Sequence, residues 1–469
     1  MSKRLCALSD ACGLLGAGLA VAMVGSVACN GPSTIPPEGW TEPLSIWSFQ
    51  PRSYFGIYDL DLAVSADDRA FASWSYINET DEAVFVAVRE PGGGWSPAQQ
   101  LDHSAPAAQT QPGAPDIVGI DPGGGALIVW KERASDGSRA FWSSRHDGRS
   151  SSVAARIATL SLEDTGETAA MDGRGGAIVA WAEGTDMRTV AYAPGQGWAE
   201  PVLVARATPG AYVVARSAAV RDSEALTLWT VASSDPGLPG STFVSLVAIR
   251  RQEGAWLPPE LVTRASLFGS PSVTFDANGS AIVVWVEQST RDGYHVRASV
   301  SDGRGWVGVL DVPGTQASLS RSAKGDVALI FGDDVFGSGE VTVRRFDGHG
   351  FGATEVIRPP GRIQRAGSRP RLALSGGRGD VATWLESESD FFELWVSVAA
   401  PSGAWSPPER MRLTPMTAAD CAGGKAVRPD FNFTPLPVVT PSGVASVVWA
   451  EAECRTTGLA ASSRILPVR

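Results

Sequence analysis

At 469 residues, 43% hydrophobic and only 19% charged, the chain holds enough apolar side chains for a large core, which excludes global disorder. Its net charge of −11 comes with no cluster of Lys or Arg, which argues against a nucleic-acid partner, since that binding needs a basic stripe. The 52 Gly and 32 Pro mark a chain of many tight turns.

Residues 1–28 read as an export signal. Lys3 and Arg4 supply a positive start, and the uncharged run Leu14–Ala28 has the length of a signal core, too short to cross a bilayer comfortably. The run ends in Ser26-Val27-Ala28-Cys29, which resembles the lipobox of bacterial lipoproteins. That resemblance implies an acylated Cys29 as the mature N-terminus, a membrane partner through the lipid, and residues 29–38 as anchor and tether. Asn30 in place of Asp implies sorting to the outer membrane. The alternative is an ordinary secretory signal cut near Ala28. Cys6 and Cys12 leave with the signal. With Cys29 acylated, Cys421 and Cys454 remain, and an exported chain with two leftover cysteines usually pairs them; two free thiols are the other reading.

From residue 39 onward the chain repeats itself. The pattern Asp-x-x-Gly-x-Ala-x-x-x-Trp runs from Asp121 to Trp130, from Asp172 to Trp181 and from Asp276 to Trp285. Blurred copies end at Trp74, Trp229, Phe331, Trp384 and Trp449. Each unit divides into four strand-like pieces: a short apolar run, a tight Asp/Asn/Gly turn, a second run apolar at every position, a third run, and a Trp-led fourth with a nearby Pro, as in Trp198-Ala-Glu-Pro201. A run apolar on both faces is sandwiched between layers, and a Pro inside a strand belongs at an edge. The pattern predicts an all-β propeller of eight four-stranded blades over residues 39–469, with seven as the alternative. The last unit lacks a fourth strand, whereas Gly39-Trp40-Thr-Glu-Pro43 is a fourth strand without a unit. The N-terminal strand is therefore expected to complete the last blade and close the ring. The marker tryptophans are expected to pack between blades.

The longer connections, from second to third strand and from fourth strand to the next blade, emerge on one face of such a disc, the expected working face. Glu132, Glu183, Glu287, Glu386 and Glu451 each follow a marker Trp by two residues and share its side of the strand. They form either an acidic ring for a cation or basic ligand, or acceptors satisfied locally at the strand ends. The turn acids Asp67, Asp121, Asp172 and Asp276 suit turn formation better than a calcium loop, which needs further oxygen ligands at set spacing. There is no Gly-x-Ser-x-Gly or His-Glu-x-x-His, and the four His are scattered, so no catalytic residue, metal site or cofactor is expected.

The turn, strand and Trp resemble the aspartate-box repeats of sialidases, although here the Trp follows the Asp by nine residues. That resemblance implies a carboxylate pocket of three Arg. Arg216, Arg369 and Arg428 open three inner strands, and Tyr54, Tyr58 and Tyr76 lie near the first. A lipid-anchored eight-bladed propeller also resembles the scaffold lipoproteins of the outer-membrane barrel-assembly machinery. The expectation is a monomeric, non-enzymatic envelope lipoprotein that binds a protein or polymer through its long-loop face. The alternative is a sialidase-like glycan-binding protein or glycoside hydrolase.

Overall fold

The second strand of each repeat is apolar at successive positions because it is covered on both sides. In Ala281–Ser289 the first six residues are buried, and Ala177–Glu183 repeats the pattern. Each such strand lies second in an antiparallel sheet, hydrogen-bonded to the first and third strands of its own unit. The computed structural model describes residues 39–466, apart from 50–56, 78–81, 102–110, 113–115, 134–137, 162–163, 235–241, 268, 290–292, 333–339, 359–369, 389–390, 412–427, 430–434 and 453–456.

Eight sheets follow in chain order, and their first strands begin at Ile57, Gln111, Asp164, Tyr212, Ser272, Thr315, Arg371 and Arg428. They are numbered here as blades one to eight. First strands pack against one another from blade to blade, and that of blade eight packs against that of blade one. The result is an eight-bladed β-propeller. Its ring is closed as the termini suggest: Leu44–Phe49 pairs antiparallel with Thr457–Ile465 as the fourth strand of blade eight. Thr41 adds an N–H bond to the Ser463 carbonyl at 2.9 Å. The fourth strands are the outer edges. In blades three and four the chain pairs briefly at Trp198 and Trp256, breaks at Pro201 and Pro258–Pro259, then pairs again. Proline thus sits where no ladder donor is needed.

The core is divided among the blade boundaries. Trp130 of blade two packs on Phe71, Val84 and Val86 of blade one. Trp181 packs back on blade two, Trp229 on blade three, Trp285 on blade four, Phe331 on blade five, Trp384 on blade six and Trp449 on blade seven. Trp74 of blade one packs on Val448 and Leu459 of blade eight, so the last boundary is built like the rest. Trp47 on the N-terminal strand meets Trp74 at 6.0 Å and Tyr76 at 5.1 Å between ring centroids. Loss of one such indole costs about 3–5 kcal/mol.

On one face, the turns between first and second strands lock to their neighbours all round the axis. Arg69 donates to the Asp147 carbonyl at 3.2 Å, and Gly175 abuts Pro122. Arg174 pairs with Asp222 at 2.9 Å, and Arg221 donates to the Ala277 carbonyl at 3.1 Å. Gly325 sits against Ala277, where a Cβ would lie 2.7 Å from its Cα. Lys324 then donates to Gly376 O at 2.6 Å, Arg378 to Ser442 O at 2.8 Å, and the Ser442 amide to Asp68 Oδ1 at 2.7 Å. The turn acids hold their own turns. Asp172 Oδ1 accepts the amides of Arg174 and Gly176 at 2.8 Å each, and Asp276 Oδ1 accepts that of Ser280 at 2.8 Å. The longer connections leave from the opposite face, and much of their length is outside the described residues.

Candidate axial site

The first strands surround the axis, and five of them bulge on the way from the long-connection face. The register slips between Tyr58 and Asp61, Ile117 and Gly119, Thr165 and Glu167, Ala215 and Ser217, and Thr315 and Ser318. A bulge shifts the register of the ladder and re-aims the side chains within it. The residues at these shifts are Asp59–Leu60, Val118, Gly166, Arg216 and Gln316–Ala317. Asp59 (φ 53°) and Gln316 (φ 54°) hold left-handed backbone without being glycine, a conformation uncommon for such residues. Gly166 (φ 63°) needs its missing side chain, since a Cβ would fall 2.5 Å from Val214 Cγ1 of the next blade.

Charge gathers at this level. Asp59 is open to solvent yet enclosed by the ring. Burial pushes its carboxyl above the ordinary range, and Glu167 of blade three pushes it further. Glu167 is held by Lys131 of blade two at 2.8 Å. Arg216 is half-buried and donates from Nε to Thr230 Oγ1 at 2.9 Å; burial lowers its pKa, and Tyr212 opposes that only in part. The wall therefore offers an acid, an ion pair and a guanidinium that, among the described residues, bonds one hydroxyl. This set suits a polar segment or a substituted sugar.

The five repeated glutamates are placed differently. Trp181, Trp384 and Trp449 donate their indole N–H to Glu183, Glu386 and Glu451 at 3.2, 2.9 and 2.7 Å. The donor is thus the Trp two residues back, and Glu183 also accepts the Ser161 loop amide at 3.4 Å. Glu183 is also paired with Arg188 at 2.8 Å, and Glu287 with Arg297 at 3.2 Å. Glu132 is half-buried at its boundary, its backbone paired with Ala140. Among the described residues no three His, Cys, Asp or Glu side chains are placed to share one metal ion.

Of the three arginines proposed for a carboxylate pocket, Arg216 faces Thr230 as above. Arg369 lies outside the described residues, as does the side chain of Arg428, whose backbone pairs with Ala452. Tyr54 is likewise outside them, and Tyr76 is buried beside Trp47. Cys29, Cys421 and Cys454 also fall outside. Asp59, Glu167, Lys131 and Gln316 escaped the sequence reading, because a bulge is a fact of pairing. Gly166 inside a strand was the one visible hint.

No protein-family model matches the chain, and no curated protein sequence matches it. Similar solved structures include the β-propeller domain of the trilobed protease of Pyrococcus furiosus, with 10% identity and a TM-score of 0.45 over 78% of this chain and 100% of that one. Another is a protein of unknown function from Dyadobacter fermentans, at 12% identity and a TM-score of 0.42, covering 92% and 100%. A Hadza microbial sialidase follows at 10% and 0.40, covering 88% and 95%. These likenesses are of fold alone.

Proposed function

We propose that this protein is a lipid-anchored cell-envelope propeller that binds a protein or surface polymer, without catalysis, on the face of its long connections. The observation that carries the reading is the asymmetry of the disc. One face is sewn turn to turn around the whole ring. The other bears the longer connections and the bulged, charged mouth of the axis. A rigid scaffold with variable connections on one side is how binding surfaces are usually carried. Export and the anchor at Cys29 rest on the leader sequence, and export in turn supports a Cys421–Cys454 bridge.

Three measurements test this. Replacing Cys29 with Ala should abolish acyl labelling and release the protein from the membrane fraction; retention of both sinks the anchor. Titration of the unfolded, unreduced protein should find no free thiol at Cys421 or Cys454. Capture from detergent-solubilised envelopes should yield a partner that the double variant Asp59→Ala, Arg216→Ala loses, while fluorogenic glycosides are not turned over. Turnover would favour the second reading, a sialidase-like glycan-binding protein or hydrolase. The observation favouring that reading is the half-buried Arg216, whose guanidinium, among the described residues, is hydrogen-bonded to the Thr230 hydroxyl alone.

A further inference from the structure

The first hairpin of blade seven is built unlike the others. Residues 374–380 separate its paired ends, Ala373 and Val381. In blades two, three, five and six only 121–125, 172–176, 276–280 and 322–326 do so. The longer turn carries three glycines in left-handed backbone, Gly376 (φ 67°), Gly377 (φ 128°) and Gly379 (φ 120°). A Cβ on Gly379 would lie 2.5 Å from the Ala399 carbonyl, so the turn cannot carry ordinary side chains there. Blade six faces it with the end of its third strand, Arg345 and Phe346. Between the two blades, and closed on one side by the turn Pro401–Gly403, is a cleft of about 300 Å³.

Its polar groups are pre-set. Arg345 donates from Nε to Glu355 at 3.0 Å and from Nη1 to Asp380 Oδ2 at 2.8 Å. Asp380 is buried, and its other oxygen accepts the Ser375 amide at 3.0 Å. The guanidinium is therefore held between two carboxylates with its orientation fixed. Asp326 adds a third carboxylate, oriented by the Ser322 hydroxyl at 2.9 Å. Phe346 lines the same cleft, half-buried and braced edge-on by Phe351 at 5.4 Å.

We propose that this cleft binds one neutral sugar ring. Among the described residues the three carboxylates outnumber the two cations, Arg345 and Lys324, whose Nζ is already bonded to Gly376 O, so an anionic ligand meets net negative charge. Asp380 and Glu355 are already occupied by Arg345, so an ammonium ligand finds little uncommitted charge. A ring of hydroxyls uses donors and acceptors together, and its C–H face packs on Phe346 and Leu374. The volume is at the lower end for ligand sites, enough for a single ring. The cleft opens on the face of the short turns, opposite the surface proposed above, and is independent of it.

The test is calorimetric titration and saturation-transfer NMR of the full chain with neutral hexoses, 6-deoxyhexoses and N-acetylhexosamines, with glucuronate and putrescine as charged controls. Saturable binding of a neutral sugar is expected. Ser402→Trp, in an exposed turn, should fill the cleft and weaken binding by at least about tenfold with the melting temperature unchanged. Phe346→Leu keeps the apolar volume, removes the ring, and should weaken it several-fold should Ser402→Trp misfold. No saturation by any neutral sugar up to about 50 mM, binding unaltered by both variants, or binding of the charged controls alone would overturn the proposal.

Discussion

At the scale of single residues, the chain places charge where a neighbour consumes it. The buried Glu386 is tolerated because the Trp384 indole donates to it. Glu386→Leu should orphan that N–H and destabilise the fold by about 1–3 kcal/mol in urea titration, whereas Glu386→Gln keeps an acceptor and should stay near wild type. Equal stabilities for the two variants would show the bond to be incidental. His146 is a different case. It is buried, its Nδ1 accepts the Gly148 amide at 3.0 Å, and it meets Phe71 edge-on. Burial lowers its pKa below the ordinary imidazole value, although Asp147 and Glu90 pull the other way. The unfolded chain therefore takes up the proton at higher pH than the folded one, and this contribution to stability disappears as pH falls from about 7 toward 5. Thermal melts of wild type and His146→Gln across that range should converge toward acid pH. Parallel curves would show that His146 does not titrate differently on folding.

At the scale of the element, the N-terminal strand carries the most consequence for its length. Leu44–Phe49 supplies a full edge to blade eight and seats Trp47 over blade one. Deleting residues 39–49 removes that ladder and bares the third strand of blade eight. A clear drop in melting temperature is expected, larger than for Trp47→Ala alone. A truncated chain melting like the intact one would mean that the pairing contributes nothing in solution. The hairpins were largely legible in the sequence: Asp-x-x-Gly after an apolar run predicts a turn whose acid bonds its own amides, and Asp172 and Asp276 do so. The bulges were not. The same alternation Val-Ala-Arg-Ser-Ala reads as a plain strand around Arg216, because an inserted residue changes only which partner each residue meets.

At the scale of the whole molecule, the ring converts near-neighbour packing into a closed cycle. In an open stack each unit contacts only the next, and unfolding can begin at either end. Here the boundary between blades eight and one has its own Trp cluster and its own turn-to-turn bond, Ser442 to Asp68, so no end is free. Calorimetric melting should therefore be one cooperative transition in the intact chain, and should broaden or split when residues 39–49 are removed. A split transition in the intact chain would argue against mechanical closure.

Repeat period, strand order, turn chemistry, the marker aromatics and the unmatched termini are local or periodic properties, and the amino-acid order alone determined them. It was also enough to place a Glu beside five of the marker Trp. Which atom satisfies that Glu, which first strands bulge, where Asp59 and Glu167 sense one another, and that blade seven leaves a cleft against blade six were decided only when the disc closed. Those features depend on residues brought together from separate blades, and the spacing between them in the chain carries no record of the distances that closure imposes.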